Sequence, residues 1–246
     1  MTTSYKKVLL VDDEPFILNV MKSYLDPAIY EIDTASSGQE ALELINAKTY
    51  DCIVTDVRMP NGNGHELLNT LRETRKLGPP IMFATGFSDI PPEELMARGA
   101  DSFILKPFNS DDFNKEVGRL VMPIAERLSI RPNYYEAIKG FEISAPGVFK
   151  TGSAGEVAFG RGGFFTTQQP EGVRANQNIR FVMNIGDGKT LKGCGRMLWA
   201  RRPSTLNPAR AGTGILLEYL EPDSLPLYIS HLERATPFFV IPRDLA

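Results

Sequence analysis

An acid pair, a third aspartate, a threonine and a lysine-proline step are the residues of this chain whose types and spacing could do chemistry. Asp12-Asp13, Asp56, Thr85 and Lys106-Pro107 each follow a short apolar run. Converging carboxylates repel one another by about 4 kcal/mol per close pair at an effective dielectric constant of about 20, unless a cation lies among them. The set therefore predicts a site for a hard divalent ion. Mg²⁺ suits it best, because this ion takes one or two carboxylates and keeps positions for water and phosphate oxygens.

Each member of this set suits a separate part of a phosphoryl transfer. If Asp12 and Asp13 hold the ion, Asp56, at the same metal site, is left as the nucleophile, since a carboxylate attacking an in-line donor gives an acyl phosphate. Thr85 can then donate a hydrogen bond to the phosphoryl oxygens, and Lys106 places a positive charge against them. The sequence thus predicts a phosphoryl-accepting site.

The apolar runs before these residues predict the elements that position them. Continuous apolar and β-branched runs of three or four residues are typical of strands buried on both faces, and here they are Val8–Val11, Cys52–Thr55, Ile81–Ala84 and Phe103–Leu105. Amphipathic helical segments alternate with them, which predicts a doubly wound α/β domain. In such a sheet, ligands bind beyond the carboxyl ends of parallel strands.

At these residues the chain resembles the receiver domain of two-component response regulators, over roughly residues 5 to 122. The matching motifs are VDDEP at 11–15, TDVRMP at 55–60, ATG at 84–86 and KPF at 106–108. The resemblance implies a CheY-like, flavodoxin-like parallel sheet of five strands. It also implies that Asp56 accepts phosphate from a phosphohistidine on a sensor kinase or phosphotransfer protein, and that Thr85 and Phe103 move together as a switch. The alternative for Phe103 is an ordinary core residue of a strand.

A last amphipathic segment leads out of this region. Ser110, with Asp111 and Asp112, predicts the cap of a helix whose apolar positions recur as far as Leu128, and Pro123 should kink it. Its far end is either a linker or dimerising segment, or a helix that covers the domain and frays. We expect a receiver domain at 1–122, a helical linker at 123–134 and a second domain at 135–246.

The second domain shows short strands punctuated by glycine. Five candidate strands lie at 157–159, 164–166, 179–184, 195–200 and 215–220, with a tight hairpin turn at Gly186-Asp187-Gly188 and a helix that Asp223 or Ser224 caps. They predict a small antiparallel β-barrel with a C-terminal helix. Here the chain resembles a PilZ domain, on GRGGFF at 160–165, GRMLWAR at 195–201 and GTGILLEYL at 212–220.

Many PilZ domains bind cyclic di-GMP through an RxxxR stretch and a DxSxxG corner. The resemblance therefore makes cyclic di-GMP a candidate ligand of this chain. Arg127 and Arg131 have the RxxxR spacing; the alternative is a pair of exposed arginines one turn apart on the linker helix. The corner aligns at Ala158, Gly160 and Gly163, so its Asp and Ser are missing and only the last glycine remains. Each lost neutral hydrogen bond costs on the order of 1 kcal/mol. We expect a degenerate module that binds the nucleotide weakly or acts through protein contacts.

Composition limits the remaining function classes. Of the charged residues, 12 basic and 19 acidic ones lie in residues 1–125, against 15 and 11 in residues 126–246, so an acidic half precedes a basic one. No apolar stretch is long enough to span a bilayer and no signal peptide is apparent, which predicts a cytoplasmic protein without membrane insertion. Cys52 and Cys194 are expected to be reduced structural thiols.

The sequence favours a phosphorylation-controlled signalling protein over a transcription factor or an output enzyme. No helix-turn-helix follows the receiver, so DNA binding is not expected. The second half shows no paired carboxylates and no Ser/His or Cys/His arrangement, so the only enzymatic chemistry expected is self-phosphorylation and dephosphorylation of the receiver. Two alternatives for the second domain stay open: a cyclic di-GMP sensor, or an adaptor that docks on motility or other machinery. A homodimer is a further alternative.

Overall fold

The computed structural model describes residues 5–60, 62–74, 78–86, 95–96, 99–144, 157–168, 171–201 and 212–234. The chain divides into two units, Met1–Pro123 and Ile124–Ala246. Both cysteines are buried free thiols.

The first unit is built on a parallel sheet of five strands in the order β2-β1-β3-β4-β5. The strands are β1 (Lys6–Val11), β2 (Tyr30–Ala35), β3 (Cys52–Asp56), β4 (Ile81–Thr85) and β5 (Ser102–Leu105). Its described helices of more than two residues are α1 (Pro15–Tyr24), α2 (Gly38–Ala47), α3 (Gly64–Thr74) and α4 (Ser110–Leu120). The prediction of a doubly wound, five-stranded parallel sheet is confirmed.

Alternate residues of the central strands face two separate cores. Leu9 and Val11 of β1 belong to the core that α2 and α3 cover, whereas Val8 and Leu10 belong to the one that α1 and α4 cover. Successive side chains of a strand point to opposite faces, so a sheet covered on both sides needs apolar residues at every position. This requirement explains the uninterrupted apolar runs in the sequence.

Helix α4 differs from the prediction at both ends. Asn109, and not Ser110, is the cap: its backbone is extended and its side chain accepts a hydrogen bond from Asp112 N–H, whereas Ser110 is already helical. The helix ends at Leu120, and a separate short helix, α5, spans Ile124–Ser129. The prediction of one kinked helix is wrong, because Pro123 lacks an N–H and disfavours a helical residue before it, which separates the two helices.

A buried ion pair joins α3 to the start of the last two strands of this sheet. Arg72 and Asp101 have side chains that are 1% and 0% exposed, and Arg72 Nη2 lies 2.8 Å from Asp101 Oδ2. The remaining guanidinium nitrogens donate to the carbonyls of Gly99 and Pro79, while Asp101 Oδ2 also accepts from Ile81 N–H. Charge and hydrogen bonding are thus satisfied together inside the protein, which is the condition for a buried pair to be tolerated.

The second unit contains a mixed sheet of six strands in the order β6-β9-β10-β11-β8-β7. The strands are β6 (Gly140–Ser144), β7 (Val157–Phe159), β8 (Gly163–Thr166), β9 (Asn178–Gly186), β10 (Lys189–Arg201) and β11 (Gly212–Leu220), and helix α6 spans Leu225–Arg234. The predicted all-antiparallel pattern is wrong at one pair, since β6 runs parallel to β9. The sequence pattern indicated five strands in this unit, and β6 is an additional strand that it did not indicate.

One core lies against all six strands of this sheet and against helices α5 and α6. Its buried members are Leu128, Ile143, Val157, Phe164, Ile179, Phe181, Met183, Ile185, Leu191, Ile215, Leu217, Leu220, Tyr228 and Leu232. The side chain of Gln168, just past β8, exchanges two hydrogen bonds with the backbone of Ser144 at the end of β6. The sheet therefore curves enough for its first strand to reach the segment after β8.

The predicted hairpin turn between β9 and β10 is confirmed. Asp187 and Gly188 have φ values of 54° and 69°, and the strands pair on either side of them. Two consecutive positive φ values are the signature of a type I′ turn, whose twist matches that of the strands. Asn184 stabilises the approach by accepting a hydrogen bond from Gly186 N–H.

None of the helices within the described ranges is long and apolar enough to cross a membrane.

Candidate functional site

Three predicted site residues meet at the carboxyl edge of the parallel sheet. Asp12 follows β1, Asp56 ends β3 and Lys106 follows β5. Lys106 Nζ lies 2.8 Å from Asp12 Oδ2 and 3.2 Å from Asp56 Oδ1. One ammonium group thus bridges two carboxylates that are 44 residues apart in the chain. The two carboxylates lie close together because β1 lies beside β3 and all five parallel strands end at the same edge of the sheet.

Backbone contacts hold two of these residues in place. Asp12 is completely buried, and its second carboxyl oxygen, Oδ1, accepts a hydrogen bond from Glu14 N–H at 2.9 Å. Lys106 N–H donates to the carbonyl of Thr85 at 2.8 Å, which ties the lysine to the end of β4. Both oxygens of Asp12 therefore have a donor, and the carboxylate has a fixed orientation.

Burial and the neighbouring charges shift the protonation of the site. Burial raises the pKa of Asp56, and the charge of Asp12 raises it further, whereas Lys106 lowers it; the net direction is upward. Burial lowers the pKa of Lys106, but its hydrogen bonds and charge interactions with Asp12 and Asp56 outweigh that effect and raise it. The lysine consequently remains charged near neutral pH. One ammonium group faces two carboxylates here, so a metal ion would offset the remaining negative charge.

The carboxylate oxygens of the predicted ligands Asp12, Asp13 and Asp56 are of the chemical type that Mg²⁺ prefers. Within the described ranges, no three acidic, histidine or cysteine side chains are grouped closely enough to hold a metal. Two of the three predicted ligands, Asp12 and Asp56, do face a common cation, and the third, Asp13, is adjacent in sequence and half-buried. Because Mg²⁺ is often bound through one or two carboxylates with water completing its shell, Asp12 and Asp56, with Asp13 beside them, are the residues that would hold it.

Thr85 and Phe103 occupy neighbouring strands. Thr85 ends β4 and is 1% exposed, with its hydroxyl donating to the carbonyl of Gly86 at 3.1 Å. Phe103 is half-buried in β5, opposite Phe83 of β4, and packs against the core that α2 and α3 cover. These positions suit both alternatives for Phe103, so its role as a switch stays a prediction.

The two arginines of the RxxxR stretch, the candidate nucleotide-binding residues of the second unit, lie in different environments. Arg127 is buried in α5, so its alternative as an exposed arginine is wrong. Arg131 lies beyond the end of α5, pairs with Glu136 and places its guanidinium 4.9 Å from the centre of the Tyr135 ring. The two arginines do not share one helical turn, because α5 ends at Ser129.

Gly163, the remaining glycine of the corner motif, has a packing role. A methyl group added to it would lie 2.0 Å from the carbonyl oxygen of Ile215 on β11. Strands β8 and β11 can approach this closely only with glycine there. The side chain of Ala158 is outside the described parts, and Gly160 donates its N–H to the Gly163 carbonyl across the turn.

Comparison with known proteins supports the same reading of the first unit. Residues 8–118 match the family described as the response regulator receiver domain. The transcriptional regulatory protein SrrA of Staphylococcus aureus is 39% identical over 103 residues, which cover 42% of this chain and 42% of SrrA. The chain thus aligns with less than half the length of the curated relatives it matches.

Solved structures of receiver domains are also similar. Chemotaxis response regulator CheY4 of Vibrio cholerae is 32% identical with a TM-score of 0.43, covering 48% of this chain and 100% of that one. A receiver domain protein from Clostridium thermocellum is 28% identical with a TM-score of 0.44, covering 47% and 94%.

A parallel five-stranded α/β sheet with an acidic, lysine-bridged site at its carboxyl edge matches the architecture of a receiver domain. By its family match, the N-terminal part of this chain is a CheY-like response regulator receiver domain. Receiver domains typically bind Mg²⁺ at the phosphorylation site, in agreement with the donor set described above.

Proposed function

We propose that this chain is a two-component response regulator that accepts a phosphoryl group on Asp56 and uses it to control the second unit. The observation that carries the proposal is the contact of Lys106 Nζ with both Asp12 and Asp56. A lysine held between two carboxylates at a strand edge stabilises the charge that a phosphoryl group brings, and it does so without blocking the less buried Asp56.

The proposed reaction transfers a phosphoryl group from a phosphohistidine on a sensor kinase or phosphotransfer protein. A carboxylate oxygen of Asp56 forms the new bond to phosphorus as the bond to the histidine nitrogen breaks, and the imidazole leaves with that electron pair. Lys106 neutralises charge on the phosphoryl oxygens, and Thr85 turns its hydroxyl from the Gly86 carbonyl to donate to them. A Mg²⁺ ion bound by Asp12, Asp13 and Asp56 would supply further charge neutralisation.

We further propose that the second unit is a PilZ-like output module that acts through protein contacts. Its support is the set of glycine-rich motifs, together with one core enclosed by six strands and two helices. The missing Asp and Ser of the corner argue against tight cyclic di-GMP binding. So does the pairing of Arg131 with Glu136, since an anionic ligand would have to displace that carboxylate.

Phosphorylation of the purified protein by a small acyl phosphate or amidophosphate should require a divalent ion. With Mg²⁺ we expect one acid-stable, base-labile phosphoryl group per chain, measured by intact mass. Chelation should abolish the gain, because Asp56 would then face the donor's negative charge with only Lys106 to offset it. Undiminished phosphorylation in excess chelator would contradict the assigned metal role.

Occupation of the phosphoacceptor site should change the arrangement or assembly of the protein. A dianionic group held near Lys106 pulls on Thr85, and coupling free energies for such switches are roughly 1 to 3 kcal/mol. Small-angle scattering with Mg²⁺ and beryllofluoride should therefore differ in shape or apparent mass from scattering without the mimic. The Asp56→Asn variant serves as the control. Superimposable curves, from wild-type protein shown to bind the mimic, would instead favour a receiver that recruits an outside partner directly.

A further inference from the structure

Two residues outside the predicted site contact the backbone of the phosphoacceptor. Gly64 is the first residue of α3, and a methyl group built on it would lie 2.0 Å from the carbonyl oxygen of Asp56 and 2.8 Å from Thr55 Oγ1. Neither distance is compatible with a real side chain. Helix α3 can therefore begin directly against the Asp56 peptide only because residue 64 is glycine.

The same peptide is held by hydrogen bonds on either side. The hydroxyl of Thr55, which is completely buried, donates to the Asp56 carbonyl oxygen at 2.9 Å. Gly64 N–H donates to the carbonyl oxygen of Val57 at 3.1 Å. A hydrogen bond and a close van der Waals contact thus fix the carbonyl of Asp56, and a second hydrogen bond fixes the next residue.

We propose that Thr55 and Gly64 form a clamp that positions the Asp56 carboxylate for phosphoryl transfer. The side chain of Asp56 leaves the backbone at the clamped residue, so a shift of this peptide would move the carboxylate relative to Asp12 and Lys106. Both clamp residues are positioning residues, since neither contacts the reacting atoms. The inference rests on the proposed function and deepens it.

The effect of the clamp is measurable as a rate and as a metal affinity. Misplacement of a reacting group by about 1 Å can cost about 100-fold in rate, so Gly64→Ala should slow phosphorylation from a small donor by about that factor. Thr55→Val keeps the shape of the side chain and loses one hydrogen bond, so we expect the phosphorylation rate to fall by about fivefold. Because Asp56 also belongs to the metal site, the dissociation constant for Mg²⁺, measured by titration calorimetry without donor, should rise in both variants.

A destabilised receiver variant separates positioning from general damage. Arg72 of α3 forms a buried ion pair with Asp101 just before β5, at the opposite edge of the parallel sheet from Asp56. Arg72→Met should therefore lose stability in urea unfolding yet keep the wild-type rate and Mg²⁺ affinity per folded molecule. Rates are compared at a temperature where each variant is folded; if Gly64→Ala does not fold, Thr55→Val alone decides.

The outcomes distinguish this inference from the proposed function. If wild-type protein is not phosphorylated on Asp56, the proposed function fails, whatever the variants do. If the wild type is phosphorylated and the folded clamp variants match it in rate and Mg²⁺ affinity, the clamp is wrong. An equal loss of Mg²⁺ affinity in Arg72→Met would also overturn it. Losses confined to Thr55→Val and Gly64→Ala support the clamp.

Discussion

Asp56→Asn should abolish phosphorylation from both a small-molecule donor and a phosphohistidine donor. An amide nitrogen or oxygen at this position lacks the nucleophilic charge of a carboxylate, and the acyl phosphate cannot form. The measurement is intact mass after incubation with Mg²⁺ and donor, followed by peptide mapping of the wild-type product. A phosphoryl group retained by the variant would show that another residue is the acceptor.

The same variant should be more stable than the wild type when no divalent ion is present. Burial raises the pKa of Asp56 in the folded receiver, with Asp12 as a second cause and Lys106 in opposition. Between the unfolded and the raised folded pKa, the native state binds more protons than the unfolded state, so wild-type stability falls as pH rises through that window. The loss is complete once the pH exceeds the folded pKa of Asp56, and the uncharged side chain of Asp56→Asn should not undergo it.

Urea unfolding of both proteins at several pH values, in chelator, tests the direction of this pH dependence. The stability advantage of Asp56→Asn should be absent at pH values below the unfolded pKa, grow with pH and then level off. Added Mg²⁺ should stabilise the wild type more than the variant, since a ligand stabilises the state that binds it. If the variant is the less stable protein at neutral pH in chelator, the electrostatic account of the site is wrong.

Arg72→Met should destabilise the receiver by about 3 to 5 kcal/mol, the usual cost of removing one partner from a buried ion pair. Asp101 would lose its guanidinium partner in a place that is completely buried, and the carbonyls of Gly99 and Pro79 would lose their donors. Urea unfolding of the wild type and the variant, monitored by far-ultraviolet circular dichroism, gives the difference.

Lys48→Met is the matched control for this prediction. Lys48 Nζ is 2.7 Å from Asp33 Oδ2, a distance close to that of the buried pair, but the lysine side chain is 40% exposed. Water replaces much of what such an exposed pair loses, so the change should be far smaller. Adding Asp101→Asn to Arg72→Met should restore part of the lost stability, because no charge would then remain buried. Equal effects of Arg72→Met and Lys48→Met would show that burial does not set the energy of these pairs.

The composition of the strands and the order of polar residues after them were enough to predict the first unit. Apolar residues at every position require cover on both faces, and parallel strands bring their carboxyl ends to one edge. Asp12, Asp56 and Lys106 were therefore predictable as neighbours from the sequence. The hairpin turn of the second unit could also be predicted, because the positive φ values at Asp187 and Gly188 depend on the residue types at these two adjacent positions.

Features that depend on contacts between distant segments were not predicted. Strand β6 carries a short, weakly patterned sequence, and its parallel pairing with β9 is set by the core into which Ile143 packs. Arg72 and Asp101 had no distinguishing pattern, since a charged residue in an amphipathic helix and an acid before a strand are both ordinary.

The sequence by itself determined which residues could transfer a phosphoryl group and on which edge of a sheet they would lie. It could do so because residue type and strand periodicity are local properties. Only the tertiary structure decided that Lys106 contacts two carboxylates at once, and that Gly64 and Thr55 hold the Asp56 peptide. Those relations are distances between segments, and they arise from the packing of helices on the sheet, which no single stretch of the chain specifies.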